Sequence, residues 1–416
     1  MLRRILPTYL LFLGVVSLAV AGTIEKKYPD GTLRVKYAID DNGDKEGVYE
    51  EFYPNGKLKV KATYKADVQE GAFKSYHENG KLHVTATYKA GKLEGLYVEE
   101  NEQGQKVLAG AYKDGKLNGT LTRFEKGKPV LTQIYKDDEP AYSRTLDDIK
   151  KKLGEILGAG SAGDDAAALR RLKAYRYLAE VPYENIELDG EMTKGAIAAA
   201  AICEKLGKLD HNPPNPGLPE AEYKLAHNAC KSTNLAMGIT DLARCVDLWM
   251  IDSDPGNIQM LGHRRWAIHP VMQKTGFGKS GRYTAMWAFD RSQKSVPDFD
   301  YVAYPPRGLA PVEFFGGAWA WNVSLNPKKF AAPKDGTKVS LTPMDAQLNK
   351  AGEPLKLNFN KISNIGAGVP YCIIFRPEPS AVAPGKRYLV EIEGLQKADG
   401  KTAASISYLT EFVSLK

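Results

Sequence analysis

At 416 residues and 43% hydrophobic content, the chain has room for about two to four packed domains, and wholesale disorder is excluded. The net charge of +7 is spread, with Lys and Arg interspersed among Asp and Glu, which describes solvated faces rather than a nucleic-acid footprint. Past the N-terminus no segment is apolar enough for an integral membrane span.

The first residues, Met1-Leu2-Arg3-Arg4, are followed by an apolar run from Ile5 to Val20 and by Ala19-Val20-Ala21 before Gly22. A positive start, a short apolar core and an A-x-A site predict a signal peptide over 1–21. The alternative is a retained anchor, for which the run is short. The expected mature protein is exported, whether to the periplasm, the cell surface or the medium. Export permits disulfides, but Cys203, Cys230, Cys245 and Cys372 allow several pairings that sequence does not choose among. Three lie in the central region and one far away, so at least one is expected to be unpaired and buried, and all four to be structural.

Residues 25–139 repeat with a period near 24. Glu46-Gly47, Glu70-Gly71, Glu94-Gly95 and Asn118-Gly119 stand at equal intervals, as do Tyr64-Lys65, Tyr88-Lys89 and Tyr112-Lys113. Turn sequences such as Pro54-Asn55-Gly56 alternate with stretches such as Leu58–Tyr64 that suit half-buried strands. A fixed period of this kind denotes an array of one β-hairpin unit. Phe52, Tyr76 and Phe124 recur in register and are expected to stack as the inner ladder. The array resembles the MORN-type repeat in its bacterial variant form, through Glu-Gly-x-(Tyr/Phe) and the Asn-Gly-Lys-Leu turn. Two readings stand: a binding face of Tyr and Lys, or a spacer whose aromatics are its core.

Over 140–163 a helical connector, Thr145–Leu157, leads into a small-residue linker, Gly158–Gly163. From Asp164, which with Asp165 offers an N-cap, the pattern predicts helices around Leu169–Tyr175, Met192–Leu206 and Thr240–Asp252, then a buried strand at Thr284–Phe289. Helices followed by short strands predict an α+β layered domain over 164–295.

Four motifs in this region are Leu209-Asp210-His211, Thr233-Asn234-Leu235-Ala236, Trp249-Met250-Ile251-Asp252-Ser253, and Gly262-His263-Arg264 continuing to Gly276-Phe277-Gly278. Through them the region resembles the CAP (SCP) superfamily of cysteine-rich secretory proteins, antigen 5 and pathogenesis-related proteins. The resemblance implies an αβα sandwich with a cleft where two His and two acidic residues converge. By position these are His211 and His263, with Thr233 in place of one acid and Asp252 as a shortened version of the other. Thr233 carries no charge, which weakens the case for metal binding or acid–base chemistry.

His211 and His263 are the candidate metal ligands, zinc being the metal two imidazoles suit, yet a stable site needs three or four ligands. Water, Asp252, Thr233 or His227 would have to complete it. Alternatively, both imidazoles brace the helix-to-sheet packing. Ser232 and Ser253 lie near the motifs where capping roles are expected, and neither Gly-x-Ser-x-Gly nor His-Glu-x-x-His occurs, so no catalytic residue is assigned. Arg264, Arg265 and Trp266 suit either an anion- or sugar-contacting edge or pairing with Asp252 or Asp254.

After Pro305-Pro306-Arg307-Gly308, short strands separated by Pro/Gly turns predict an all-β sandwich over 305–416, similar to bacterial Ig-like surface domains. Trp319 and Trp321 are expected on one face of one strand, in its core or as a sugar-stacking pair.

The architecture expected is multidomain: a β-hairpin repeat array, a CAP-like domain and an Ig-like sandwich. The function expected is exported binding, with a small ligand, lipid or metal ion in the His-lined cleft and a protein or cell-envelope partner on the repeats and the Ig-like domain. The alternatives are a metal-assisted hydrolase acting on envelope or extracellular substrates, and a structural surface protein with a vestigial cleft.

Overall fold

The computed structural model describes residues 21–158, 163–290, 292, 297–346 and 349–416. Nearly all of the expected signal peptide and most of the Gly/Ala/Ser linker, residues 159–162, lie outside the described residues. The chain divides into two compact units, Met1–Ala141 and Tyr142–Lys416.

In the first unit the described residues form a twelve-stranded antiparallel sheet that runs as a meander from Gly22–Lys27 to Glu139–Ala141. The 24-residue period has a physical cause. Glycines 47, 71, 95 and 119 take positive φ and sit directly opposite Tyr64, Tyr88, Tyr112 and Tyr135 on the next strand. The glutamate before each of the first three accepts a backbone N–H from a later turn: Glu46 from Ala66 at 3.0 Å, Glu70 from Ala90 at 2.6 Å, Glu94 from Asp114 at 2.9 Å. Those turn residues are left-handed, so the carboxylate satisfies a donor that the tight turn leaves over. Asn55 and Asn79 close their own turns and reach the carbonyls of Glu78 and Glu102 in the following ones.

The aromatic ladder differs from expectation. Ring pairs run through Tyr37–Tyr49 (5.9 Å), Tyr49–Tyr64 (5.6 Å), Phe73–Tyr88 (5.7 Å) and Tyr97–Tyr112 (5.9 Å). Phe52, Tyr76 and Phe124 instead stand at register shifts near strand ends. There a bulge breaks the two-residue alternation that the ladder needs. The carbonyls of Phe52 and Tyr76 accept the hydroxyls of Tyr28 and Tyr53.

The second unit opens with helices α1 (Leu146–Gly158), α2 (Asp164–Leu178), α3 (Gly190–Leu206), α4 (Glu220–Cys230), α5 (Leu242–Ile251) and α6 (Gly262–Ala267). α2 is N-capped at Gly163, with no side-chain cap bond, and the two aspartates fall in its first turn. A three-stranded antiparallel sheet is ordered Thr233–Met237, Tyr283–Trp287, Phe277–Ser280. Its strands alternate between two cores. Leu235, Tyr283 and Ala285 join α3 and α4, whereas Ala236, Phe277 and Met286 join α2 and α5, so helices cover both faces.

Gly276 and Gly278 owe their place to this packing. A Cβ at either would fall 2.2 Å from a backbone nitrogen of α3, Thr193 or Ile197, so only glycine lets the helix lie on the strand.

Beyond the helical layers two four-stranded sheets face each other. One is ordered Tyr301–Tyr304, Trp321–Leu325, Tyr371–Pro377, Leu357–Ser363. The other runs Gly308–Pro311, Ala403–Val413, Arg387–Gln396, Lys338–Pro343. The hydrogen-bonded sandwich thus starts before Pro305, with Tyr301–Tyr304. Trp321 fills its centre against Phe375, Tyr388 and Phe412, while Trp319 lies outside the strand and packs on Phe315. One continuous buried cluster runs from Ile149 in α1 to Phe412, so helices and sandwich share a core.

Candidate functional site

α5 ends at Asp252, whose left-handed φ of 43° turns its carboxylate back toward α6. That carboxylate is fully buried. Oδ1 accepts from His263 Nδ1 at 2.8 Å and Oδ2 accepts the Arg264 backbone N–H at 3.2 Å, one of the free donors opening α6. The pair holds the His263 proton on Nδ1. Among the described residues nothing bonds its Nε2, and the ring keeps 20% of its surface in solvent. A carboxylate-oriented imidazole with an open Nε2 can accept a proton or hydrogen bond, or donate a lone pair.

His211 is exposed in the segment after α3, and its Nδ1 donates to the Cys230 carbonyl at 2.6 Å, which likewise leaves Nε2 unbonded among the described residues. Thr233 is buried and its hydroxyl donates to Ala229 O at 2.9 Å. The structure therefore joins His263 to Asp252 directly, while His211 and Thr233 both attach to the last turn of α4. Asn234, next along the strand, donates its amide to the His263 carbonyl at 3.0 Å. Asn234 lies in a motif legible in the sequence, but its role as the link to α6 depends on strand register.

The donors considered for completing a zinc shell are engaged elsewhere. Asp252 uses both oxygens, Thr233 faces a helix carbonyl, and His227 Nε2 bonds Asn212 at 3.0 Å. Among the described residues no group of three or more His, Cys, Asp or Glu is placed to hold a metal ion. A closed zinc site does not fit these residues. Ser253 is held as well: its hydroxyl donates to Ile251 O and accepts the Ala320 N–H at 2.8 Å. Two cavities of about 530 Å³ lie away from both histidines, one beside Glu180, Tyr301 and Arg307, the other beside Arg144, Tyr177 and Tyr183.

Among the described residues the Arg264 and Arg265 guanidinia meet no carboxylate; both are buried, away from any sugar- or anion-contacting edge, and bind mainly carbonyls. Arg264 reaches Met250 O (2.6 Å), Ile251 O (2.6 Å) and Ala320 O (2.5 Å), and the side chain of Asn322 (3.1 Å). Arg265 reaches Met260 O, Ile365 O, Val369 O and Pro370 O, with Ser363. The first two carbonyls on Arg264 end α5 beside Asp252, while Ala320 and Asn322 belong to the sandwich. Sequence alone could not separate these roles, because a buried arginine and a surface one read alike.

In the same segment His269 packs edge-on to Trp266, and burial, with the nearby Arg176 guanidinium, pushes its pKa down to about 4.

Residues 45–66 and 69–90 each match the family model of the MORN repeat variant, so the N-terminal array carries repeats of this type. Among solved structures, an extracellular protein containing an SCP domain from Bacillus anthracis str. Ames aligns with 69% of this chain and 98% of its own, at 11% identity and a TM-score of 0.22. An alignment at that score does not define a shared fold. No curated protein matches the chain.

Replacing Arg264 with Met leaves buried carbonyls without donors and should lower the stability of the second unit by about 3 kcal/mol or more, read from denaturant midpoints. An unchanged midpoint would remove the guanidinium from its central role. For His269, an unfolded ring takes its proton near 6.5 and the folded ring near 4, so the native state binds fewer protons between these values. Stability should fall as pH drops through that window, by on the order of 3 kcal/mol from this group. His269→Gln should flatten that part of the pH–stability curve; an unaltered slope would assign it to other groups.

Proposed function

We propose that this chain is an interaction protein of the cell exterior in which the repeat array contacts a protein or cell-envelope partner. The observation that carries this reading is the aromatic ladder. The described strands of the first unit all belong to one sheet, and Tyr37, Tyr49, Tyr64, Phe73, Tyr88, Tyr97 and Tyr112 remain only half-buried on it. A row of partly exposed tyrosines on a stiff sheet offers apolar contact area and hydroxyls at low ordering cost, the composition favoured at interfaces. The MORN-variant match supports the same reading, and the apolar start followed by Ala19-Val20-Ala21 supports export. Among the described residues no helix is long and apolar enough to cross a membrane.

The test is a photo-crosslinking amino acid placed at Tyr97, on the ladder face, or at Thr85, on the opposite face, in the producing cell. Adducts at Tyr97 and none at Thr85 are expected. Equal labelling from both faces, or none from either, would reject the ladder as the contact surface.

A second reading rests on the Asp252–His263 pair, with the CAP-like motifs behind it: the helical layers bind a small polar ligand through His263 Nε2, with His211 as a further contact. The Ig-like character of the sandwich belongs to this proposal, as a support that docks the helical layers. Zinc titration calorimetry on the full chain, wild type against a His211→Ala/His263→Ala double variant, separates ligand classes. Heat that disappears in the double variant and weakens from about pH 7.5 to about 5.5 supports a metal held by imidazoles. Identical traces exclude that metal contact and leave an organic ligand.

A further inference from the structure

Cys203 lies in the last turn of α3 and Cys230 is the last residue of α4, and both thiols are fully buried in the same cluster between the two helices. The Cys230 S–H donates toward Ala199 O, 3.8 Å away and one turn before Cys203, which brings the two thiols alongside each other in that cluster. The other two cysteines have different neighbours. Cys245 contacts Thr284 Oγ1 at 3.2 Å and Ile239 O at 3.3 Å, and Cys372 sits in the sandwich against Ser324 at 3.5 Å.

We infer that Cys203 and Cys230 become a disulfide when the chain folds in the presence of a thiol–disulfide oxidant, while Cys245 and Cys372 stay thiols. Both thiols lie in one buried cluster between packed helices, beside the same turn of α3, which is the placement a disulfide requires. The exchange balances in two steps. The Cys203 thiolate attacks one sulfur of the oxidant disulfide and expels a thiolate, forming a mixed disulfide. The Cys230 thiolate then attacks the Cys203 sulfur and expels the second thiolate. Two cysteines are oxidised, one oxidant disulfide is reduced to two thiols, and the cysteine protons end on those thiols.

Cys203 is the better first nucleophile. The neighbouring Cys230 thiol, and after it the Asp210 N–H, hold the Cys203 thiol below the ordinary thiol range. Because neither thiol has exposed surface, exchange takes place during folding or when the segment after α3 opens.

The bond would tie together the two ends of the segment that carries His211, whose Nδ1 already leans on the Cys230 carbonyl. Closing this ring restricts the unfolded chain and holds that carbonyl in place. The inference is independent of what the histidines or the repeats bind.

The reduced full chain is refolded in a glutathione redox buffer, acid-quenched, alkylated and digested for mass spectrometry. The expected product is one linked peptide pair containing Cys203 and Cys230, lighter by two hydrogens, with Cys245 and Cys372 alkylated only after unfolding. The unfolding midpoint should rise by roughly 5–10 °C over the reduced chain and return on reduction. In Cys203→Ser the redox-dependent rise should vanish, and in Cys245→Ser it should persist. Should Cys203→Ser fail to fold, the oxidised and reduced wild-type chains still decide. Alkylation of both Cys203 and Cys230 after oxidative refolding, linkage of either to Cys245 or Cys372, or equal midpoints for the two redox forms would overturn the inference.

Discussion

The second unit depends on one buried cation. Arg264 has no exposed surface, and burial draws its pKa down to about 10, with Asp252 opposing the shift. A charge so placed is costly unless oxygen dipoles surround it. Here the last carbonyls of α5, the Ala320 carbonyl and the Asn322 side chain supply them. Because its partners come from a helix end and a sandwich strand, the same guanidinium that is stabilised also fixes where α5 stops. Asp252 begins where α5 stops. His263 precedes Arg264 in α6, so its ring is oriented by a carboxylate that the guanidinium helps to place. The sandwich is therefore part of the framework of the His263 site, and Arg265 repeats the arrangement against the 363–370 segment.

The repeat array meets a different constraint. A single-layer sheet cannot bury a core between two faces, so its stability rests on contacts passed from repeat to repeat. Glu46, Glu70 and Glu94 supply a carboxylate for a later turn, four glycines stand opposite tyrosines, and Asn55 and Asn79 reach the neighbouring turn. Satisfying the backbone this way leaves Tyr64, Tyr88 and Tyr112 half-buried, whereas Tyr135 is enclosed.

Much of the architecture was legible in the chain. The 24-residue period, α2, α3, α5 and most of the C-terminal strands follow from spacing and turn chemistry. The spacing does not show α4: its buried positions are the small residues Ala226, Ala229 and Cys230, a weak signal, and Pro213, Pro214, Pro216 and Pro219 crowd the segment before it. Tyr301–Tyr304 escapes the spacing because it precedes the Pro-rich stretch that reads as a boundary. Periodicity alone places the ladder at Phe52, Tyr76 and Phe124 because it reports recurrence, whereas a bulge decides which recurrent residue faces inward.

The sequence by itself determined the repeat unit, the turns where glycine takes positive φ and the residues from which a site could be built, since each of these rests on local backbone geometry or fixed spacing. Only the tertiary structure decided that Asp252 holds His263, that Thr233 and His211 lean on the end of α4, and that two adjacent arginines turn inward rather than to solvent. Those outcomes depend on which carbonyls and carboxylates distant segments bring within about 3 Å, a distance at which a hydrogen bond forms or does not.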